Sequence, residues 1–331
     1  MDAPGSMHVG SWPERNLCAG EVRVKVNAAG ICAGDMYFYL GKNPYARYPQ
    51  VCGHEIAGQI LEVANDVKDF KEGEHVVIEP FLGCGACYPC RVGKSNCCAN
   101  LRIIGVHEPG GYAESVVAPA THIHRVPGVI SSVVASFAEP VAIAVQATRR
   151  GHLESGEQVL VLGCGPIGLA LIEVIRAKQA SVMAVDVLES RLEFARQLGA
   201  ETLKADESLL PNILERTNGE GVPLVIEATG NIKAMEQCVE LVAAGGRIVI
   251  VGLVKKGLMV SFPALDFTRK EMTILGSRAS VNCFPEALDL LASGAIHYPE
   301  VATCFELWKA PEVFQQLASN PHEIHKGVLL A

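Results

Sequence analysis

Gln158-Val159-Leu160-Val161-Leu162-Gly163-Cys164-Gly165-Pro166-Ile167-Gly168 is the stretch on which the fold turns. Five mostly apolar residues at strand length run directly into Gly-x-Gly-x-x-Gly, and helical spacing continues through Ile172, Ile175 and Ala177. A Gly-x-Gly-x-x-Gly pattern alone is weak, but a strand before it and a helix after it are the context it requires. The next strand, Ser181-Val182-Met183-Ala184-Val185, closes on Asp186, the acidic residue expected there. Glycines at Gly163, Gly165 and Gly168, with Pro166 and Ile167 opening the helix, let backbone N–H groups meet a pyrophosphate. Asp186 would accept hydrogen bonds from ribose hydroxyls and repel a 2′-phosphate, which favours NAD over NADP. Arg191, five residues on, lies against the adenine side or is an ordinary helix-face charge.

Working outward, Leu224–Gly230 and Gly246–Gly252 read as further strands with a helix between them, to about Ala243. Strands alternating with helices at this spacing predict an α/β domain with a doubly wound parallel sheet, placed at 141–277. Thr229, Gly252 and Leu253, at the exits of those strands, are expected on the cofactor side. Residues 1–140 and 278–331 are expected to form one other domain.

Upstream lie two cysteine constellations. Cys84-x2-Cys87-x2-Cys90-x7-Cys98 has structural-zinc spacing, with glycine and proline between thiols to permit tight turns. Cys97 competes with Cys98 as fourth ligand. The second set is scattered: Cys32 after the alternating stretch Val22–Val26, the adjacent His54 and Glu55 after Gly53, and Glu139 in Phe137-Ala138-Glu139-Pro140. A lone buried glutamate is costly unless paired or metal-bound, so Glu139 has metal duty, or else a capping or ion-pair role. A closed four-thiolate site holds structure, while a mixed S/N/O site with an open position does Lewis-acid work. Beside a dinucleotide, that second site suggests hydride transfer.

Composition narrows the class. The chain has 331 residues, 49% hydrophobic, with 32 glycines and 18 prolines, which suits two loop-rich α/β cores. A net charge of −8 without a basic stripe argues against nucleic acid. No eighteen-residue apolar run is present, so no membrane partner is expected. The twelve cysteines come without an export signal in the opening residues, so metal binding and a cytoplasmic location are the expectation.

These pieces, in this order, resemble the zinc-containing medium-chain dehydrogenase/reductase superfamily. The resemblance runs over essentially the whole chain, through Gly30-Ile31-Cys32, Gly53-His54-Glu55, the four-cysteine lobe, Gly110-Gly111-Tyr112-Ala113-Glu114, Glu139-Pro140 and the Gly163 loop. The sorbitol, threonine and sugar-acid branch is most similar, and Asn96–Cys98 through Ile103–His107 looks most like hexonate dehydrogenases of the L-galactonate kind. The resemblance implies a GroES-like β-rich catalytic domain with a structural-zinc lobe, joined to a Rossmann domain that binds NAD. It implies Cys32, His54 and Glu55 as catalytic-zinc ligands, Glu139 as an exchanging ligand or its neighbour, and Cys84, Cys87, Cys90 and Cys98 on a structural zinc. It also implies a small alcohol as substrate and a homodimer or homotetramer as the assembly.

The chain departs from the family pattern at Gly34, where a Ser or Thr hydroxyl usually passes the proton outward, and at Tyr37, where a histidine is common. Tyr37, Tyr39 or ordered water is expected to stand in. A third departure is the opening at Asp2-Ala3-Pro4-Gly5, without the short strand that usually precedes such a turn. Lys270, Ser277, Arg278 and His107 are candidates for recognising substrate hydroxyls or a carboxylate. Three other readings compete: a zinc-stabilised dinucleotide sensor with little catalysis, a threonine-type amino-alcohol dehydrogenase, and a carbonyl reductase favouring NADPH. Cys32 as a covalent nucleophile lacks an evident base with its own orienting partner.

Overall fold

The computed structural model describes residues 1–43, 46–320 and 323–331. Two compact units emerge from it. The first comprises Met1–Glu139, Ser280–Ala292 and Pro299–Ala331, and the second Pro140–Ala279 with Ser293–Tyr298.

In the first unit the strands are β1 (Glu21–Gly30), β2 (Glu55–Val63), β3 (His75–Ile78), β4 (Phe81–Leu82), β5 (Arg102–Ile103), β6 (Ser115–Pro119) and β7 (Ile123–Arg125). The second unit contributes β8 (Gln158–Leu162), β9 (Ser181–Asp186), β10 (Glu201–Lys204), β11 (Val222–Glu227), β12 (Val242–Ile250) and β13 (Thr273–Gly276). The chain then returns to the first unit with β14 (Ala302–Glu306) and β15 (Lys326–Leu330).

The first unit is built on a sheet ordered β14-β15-β1-β2-β3-β7, with β6 also paired to β1. Alternation makes β1 its centre: Val22, Val24 and Val26 face a core with Ile56, Ile60, Val76, Ile78 and Val116. Register shifts between Arg23 and Val24 and between Val26 and Ala28 then re-aim the strand. After the second, Ala28, Ala29 and Gly30 are all buried, and Gly30 stands opposite Glu55. One turn beyond that pair, Cys32 starts the helix Ala33–Tyr39.

The second unit is the expected parallel sheet, ordered β10-β9-β8-β11-β12-β13. Strand order reverses between β8 and β11, and ligands of such sheets bind outside the carboxyl ends at that point. Its β8, β9 and β11 are apolar almost throughout because both faces are covered. The expected strand at Leu224–Gly230 ends three residues earlier, at Glu227, because the glutamate side chain turns the chain there.

Assigning 278–331 wholly to the first unit needs correction. Residues Ser293–Tyr298 pack with the nucleotide-type unit. The cause is Glu173, on the helix Pro166–Ala177, whose buried carboxylate accepts the backbone N–H groups of His297 and Tyr298, both at 2.7 Å. A carboxylate in this position on an otherwise apolar helix face has no local signal for its distant partner.

Glu173→Ala would leave both N–H groups without their acceptor, at a cost of about 1–3 kcal/mol for the buried one at Tyr298. The expected outcome is faster hydrogen exchange confined to residues 293–298 and a lower unfolding midpoint in urea. Unchanged exchange there would show that the segment is held by something else.

Candidate active site

The four-cysteine lobe is closed. The sulfurs of Cys84, Cys87, Cys90 and Cys98 all lie within 4.8 Å of one another. Left-handed glycines make the turns possible, Gly85 at φ +72° and Gly93 at φ +74°. Cys98 Sγ is buried and accepts the N–H groups of Cys84 and Asn100, each at 3.3 Å. Cys97, the neighbour that spacing left in competition, is exposed and outside the group. Backbone donors at Cys90 and Ala99 pull the Cys87 thiol down to about 6, toward the thiolate a metal requires. Burial pushes Cys90 the other way, to about 12.

A second group forms where β1 meets β2. One ligand atom each from Cys32, His54 and Glu55 falls within 4.8 Å of the others. Cys32 is placed by the helix it begins. Its sulfur accepts the Gly34 N–H at 3.4 Å, and the Asp35 carboxylate reaches back to the Cys32 N–H at 2.9 Å. Asp35 also accepts the Tyr112 hydroxyl at 2.7 Å and stands 3.6 Å from His54 Nδ1. Burial opposes charge on His54, but Asp35 and Cys32 outweigh it and hold the imidazole well above its ordinary pKa.

Glu55 is fixed by a partner from the far end of the chain. Lys326 Nζ on β15 donates to Glu55 Oε1 at 2.5 Å and to Ile31 O at 3.0 Å, and both side chains are almost wholly buried. The other oxygen, Oε2, is buried with no partner among the described residues. A Cβ on Gly30 would sit 1.9 Å from that oxygen, so only glycine leaves it room.

Glu139 is buried close to this group but is not one of the three within mutual ligand distance. Burial raises its carboxyl to about 7, offset by His54 and Lys326 and reinforced by Glu55. Tyr37, on the helix that Cys32 begins, is 52% exposed. Tyr39, the other tyrosine expected to stand in for the missing hydroxyl, is buried and donates to Gly5 O at 3.1 Å. At Gly34 a Cβ would be 3.7 Å from Cys32 Sγ and 4.0 Å from His54 Cε1, ordinary contact distances. Asp35, Tyr112 and Lys326 received no role from the sequence. Asp35 had a signal, an acid three residues after a helix-capping position, and Lys326 had none.

In the second unit the glycine loop brings the start of a helix close to β8. Gly163 is left-handed at φ +99°, and a Cβ on Gly168 would lie 1.8 Å from Gly163 O, so the helix can start this close to β8 only with glycine there. Gly165 caps the helix Pro166–Ala177, with Pro166 and Ile167 its first residues, and a Cβ on it would meet open space. Asp186 is buried at the end of β9, accepting the Cys164 N–H at 2.8 Å and the Leu188 N–H at 3.0 Å. Arg191 reaches 3.6 Å from the same carboxylate, so its guanidinium partly neutralises Asp186. A Cβ on Gly163 would fall 2.8 Å from Thr229 Cγ2, one on Gly252 would fall 2.2 Å from Gly230 N, and Leu253 is 87% exposed.

Lys270 is not free to meet a substrate carboxylate, contrary to the sequence-based expectation. Its ammonium donates to the carbonyls of Val239 at 2.7 Å, Val242 at 2.8 Å and Glu240 at 3.3 Å, closing the end of the preceding helix. His107 Nδ1 accepts the Ile103 N–H at 3.1 Å. Ser277 is buried, and its N–H donates to Ile250 O at 2.9 Å.

Comparison with known proteins bears on the family and the fold. Residues 18–128 match the alcohol dehydrogenase GroES-like domain family, and residues 166–293 match the zinc-binding dehydrogenase family. The chain is 35% identical to the L-galactonate-5-dehydrogenase of Escherichia coli K12, over 96% of this chain and 95% of that one. It is 36% identical to the L-threonine 3-dehydrogenase of Bacillus licheniformis, over 86% of this chain and 84% of that one. A crystal structure of the dehydrogenase RspB from E. coli CFT073, complexed with NADH, superposes with a TM-score of 0.93 at 31% identity, covering 100% of this chain and 97% of that one. The chain is therefore a dehydrogenase of the zinc-containing medium-chain alcohol dehydrogenase superfamily, in its sugar-acid and polyol branch.

Proposed function

We propose that this enzyme oxidises a secondary alcohol of a polyol or sugar acid, with NAD as hydride acceptor and two zinc ions per chain. The observation that carries the proposal is the convergence of Cys32, His54 and Glu55, with one buried Glu55 oxygen lacking a partner. Thiolate, imidazole and carboxylate together suit zinc, and three protein ligands leave a position for substrate. Bound there, zinc supplies Lewis acidity, as when it lowers the pKa of bound water from about 16 to about 7.

The chain's own residues prepare that site. Asp35 beside His54 Nδ1 favours a proton on that nitrogen and leaves Nε2 as the coordinating atom. Lys326 occupies Glu55 Oε1, which leaves Oε2 as the oxygen that would hold a metal. Glu139 supplies a further buried carboxylate beside the three ligands. No hydroxyl stands at position 34, so the room beside Cys32 and His54 is open to water or to a polyhydroxylated substrate. The four-cysteine lobe, closed and remote in sequence, has the donor set of a structural zinc.

For the cofactor, the Gly163 loop supports pyrophosphate binding and Asp186 supports ribose recognition. The ion pair of Arg191 with Asp186 favours a second reading on this one point, tolerance of NADP, because a cation stands where a 2′-phosphate would meet the carboxylate. Likeness to a threonine dehydrogenase keeps an amino alcohol as the alternative substrate class.

The decisive assay is NAD⁺ reduction by zinc-loaded protein across hexonates, polyols, threonine and simple alcohols. Activity with hexonates or polyols, abolished by chelation and restored by zinc, is expected. Activity confined to threonine would move the substrate class, and silence despite bound zinc and NAD would return the sensor reading.

Metal content should be two per chain by atomic emission, and Cys98→Ser should lower it to one and destabilise the fold, while Cys97→Ser keeps both. The opposite pattern would reassign the fourth thiolate.

Gly30→Ala drives a methyl group into Glu55 Oε2. Competition with a chelator should show metal at the Cys32 group weakened by about 10–100-fold, the usual cost of disturbing groups that support a ligand. The four-cysteine metal should be unaffected, and equal affinity at both sites would remove Glu55 from the ligand set.

A further inference from the structure

Glu227 has no part in the chemistry described above, yet it is the last residue of β11, wholly buried, at the point where the strand order reverses. Its Oε1 accepts three hydrogen bonds, from the Thr229 N–H at 2.7 Å, the Gly230 N–H at 3.0 Å and the Thr229 hydroxyl. Thr229 Oγ1 in turn accepts the Asn231 N–H at 2.9 Å, and Asn231 caps the helix Ile232–Leu241. The main-chain oxygen of Glu227 accepts the N–H groups of Val251 at 2.8 Å and Gly252 at 3.1 Å. One residue thus ties together the loops leaving β11 and β12.

The loop leaving β11 is also pressed against the glycine loop that leaves β8, and the loop leaving β12 is pressed against the loop leaving β11. A Cβ on Gly163 would lie 2.8 Å from Thr229 Cγ2, and one on Gly252 would lie 2.2 Å from Gly230 N and 2.5 Å from Glu227 Oε2. That Oε2 is buried with no partner among the described residues. Burial pushes the carboxyl up, opposed by the donors at Thr229 and Gly230. A buried carboxyl with one oxygen unmatched is an expensive way to make a turn, since a backbone or amide group could satisfy the same donors. Its cost is intelligible if the turn must hold one shape for a ligand.

We propose that Glu227 is a positioning residue for the dinucleotide, holding the turn Ala228–Asn231 and the loop at Gly252 as a preformed wall beside the Gly163 loop. The proposal rests on the reading that this crevice takes a nicotinamide dinucleotide. Glu227 itself touches neither cofactor nor substrate; it acts through Thr229, Gly230 and Gly252.

The test is titration of the full-length, zinc-loaded protein with NADH by fluorescence, alongside Glu227→Ala, Glu227→Gln and Thr229→Val. Loss of a hydrogen-bonded charge of this kind corresponds to about 10-fold or more in affinity, so Glu227→Ala should raise the NADH Kd, and the KM for NAD⁺, by at least that factor. Its kcat at saturating NAD⁺ should stay within about 3-fold, the split expected when only cofactor placement suffers. Glu227→Gln keeps an acceptor oxygen for the three donors and should restore binding to within about 3-fold. Thr229→Val removes one donor without changing shape and should show a smaller rise, which serves if the alanine variant does not fold. A NADH Kd in Glu227→Ala or Thr229→Val equal to that of the unaltered enzyme would overturn the assignment, whatever the change in melting temperature. Absence of NADH binding by the unaltered enzyme would instead overturn the dinucleotide reading, and the assignment with it.

Discussion

The buried ion pair between Lys326 and Glu55 is the constraint to which the first unit is organised. Two charges with 1% and 2% of their side-chain surface exposed must satisfy each other, because removing an ion from water costs several kcal/mol even after relaxation. Lys326 also donates to Ile31 O, so the pair joins β15, the end of β1 and the start of β2 at one point. His54 directly precedes β2, and Cys32 lies two residues beyond β1. The grouping of Cys32, His54 and Glu55 therefore follows from how three strand termini are made to meet. The edge strand of the sheet, β14, is added in parallel to β15, and the residues between them supply a helix that packs Phe314 on Tyr39 and Tyr112.

Around this pair, polar groups act in series. Tyr112 reaches Asp35 from a loop on which Gly110 and Gly111 pack too tightly for any side chain, since Cβ atoms there would fall 2.2 Å from Gly53 O and 2.6 Å from Ile56 Cγ1. Asp35 then orders Cys32 and His54 together. The stretch Gly110–Glu114, which has no metal-binding residue type at its centre, belongs to the site through this chain of contacts. Backbone approach is the common device: Gly30 admits Glu55, Gly53 admits Tyr112, and Gly168 admits the carbonyl of Gly163. Each such glycine gives up side-chain packing and conformational entropy to gain proximity.

The two units use buried carboxylates differently. In the first, Glu55 is matched by a cation and Asp35 by a histidine and a tyrosine. In the second, Glu173, Asp186 and Glu227 are matched mainly by backbone N–H groups at the ends of strands and helices. Such carboxylates hold loops in place through backbone donors, with no dedicated cationic partner required.

Much of this was legible from the chain alone, because its signals are local. The run from Gln158 to Gly168 declares a strand, a turn and a helix within eleven residues, and the lobe cysteines lie within fifteen, so both patterns can be read without knowing the fold. The pairing of His54 with Glu55 next to a glycine, and of Cys32 with a preceding alternating strand, is equally local. What tertiary structure alone decided are the long-range partners. Lys326 meets Glu55 across 271 residues, and Glu173 captures His297 and Tyr298 across more than 120, with no periodicity or spacing to announce either. The choice of Cys98 over Cys97 likewise depended on which sulfur the 3₁₀ turn Ser95–Cys97 leaves facing inward. Lys270 was misread for the same reason: a basic residue near the end of a helix looks available until the carbonyls it closes are seen. Sequence encodes residue type and local geometry strongly, whereas the pairing of distant charges is settled only when burial removes water as the competing partner.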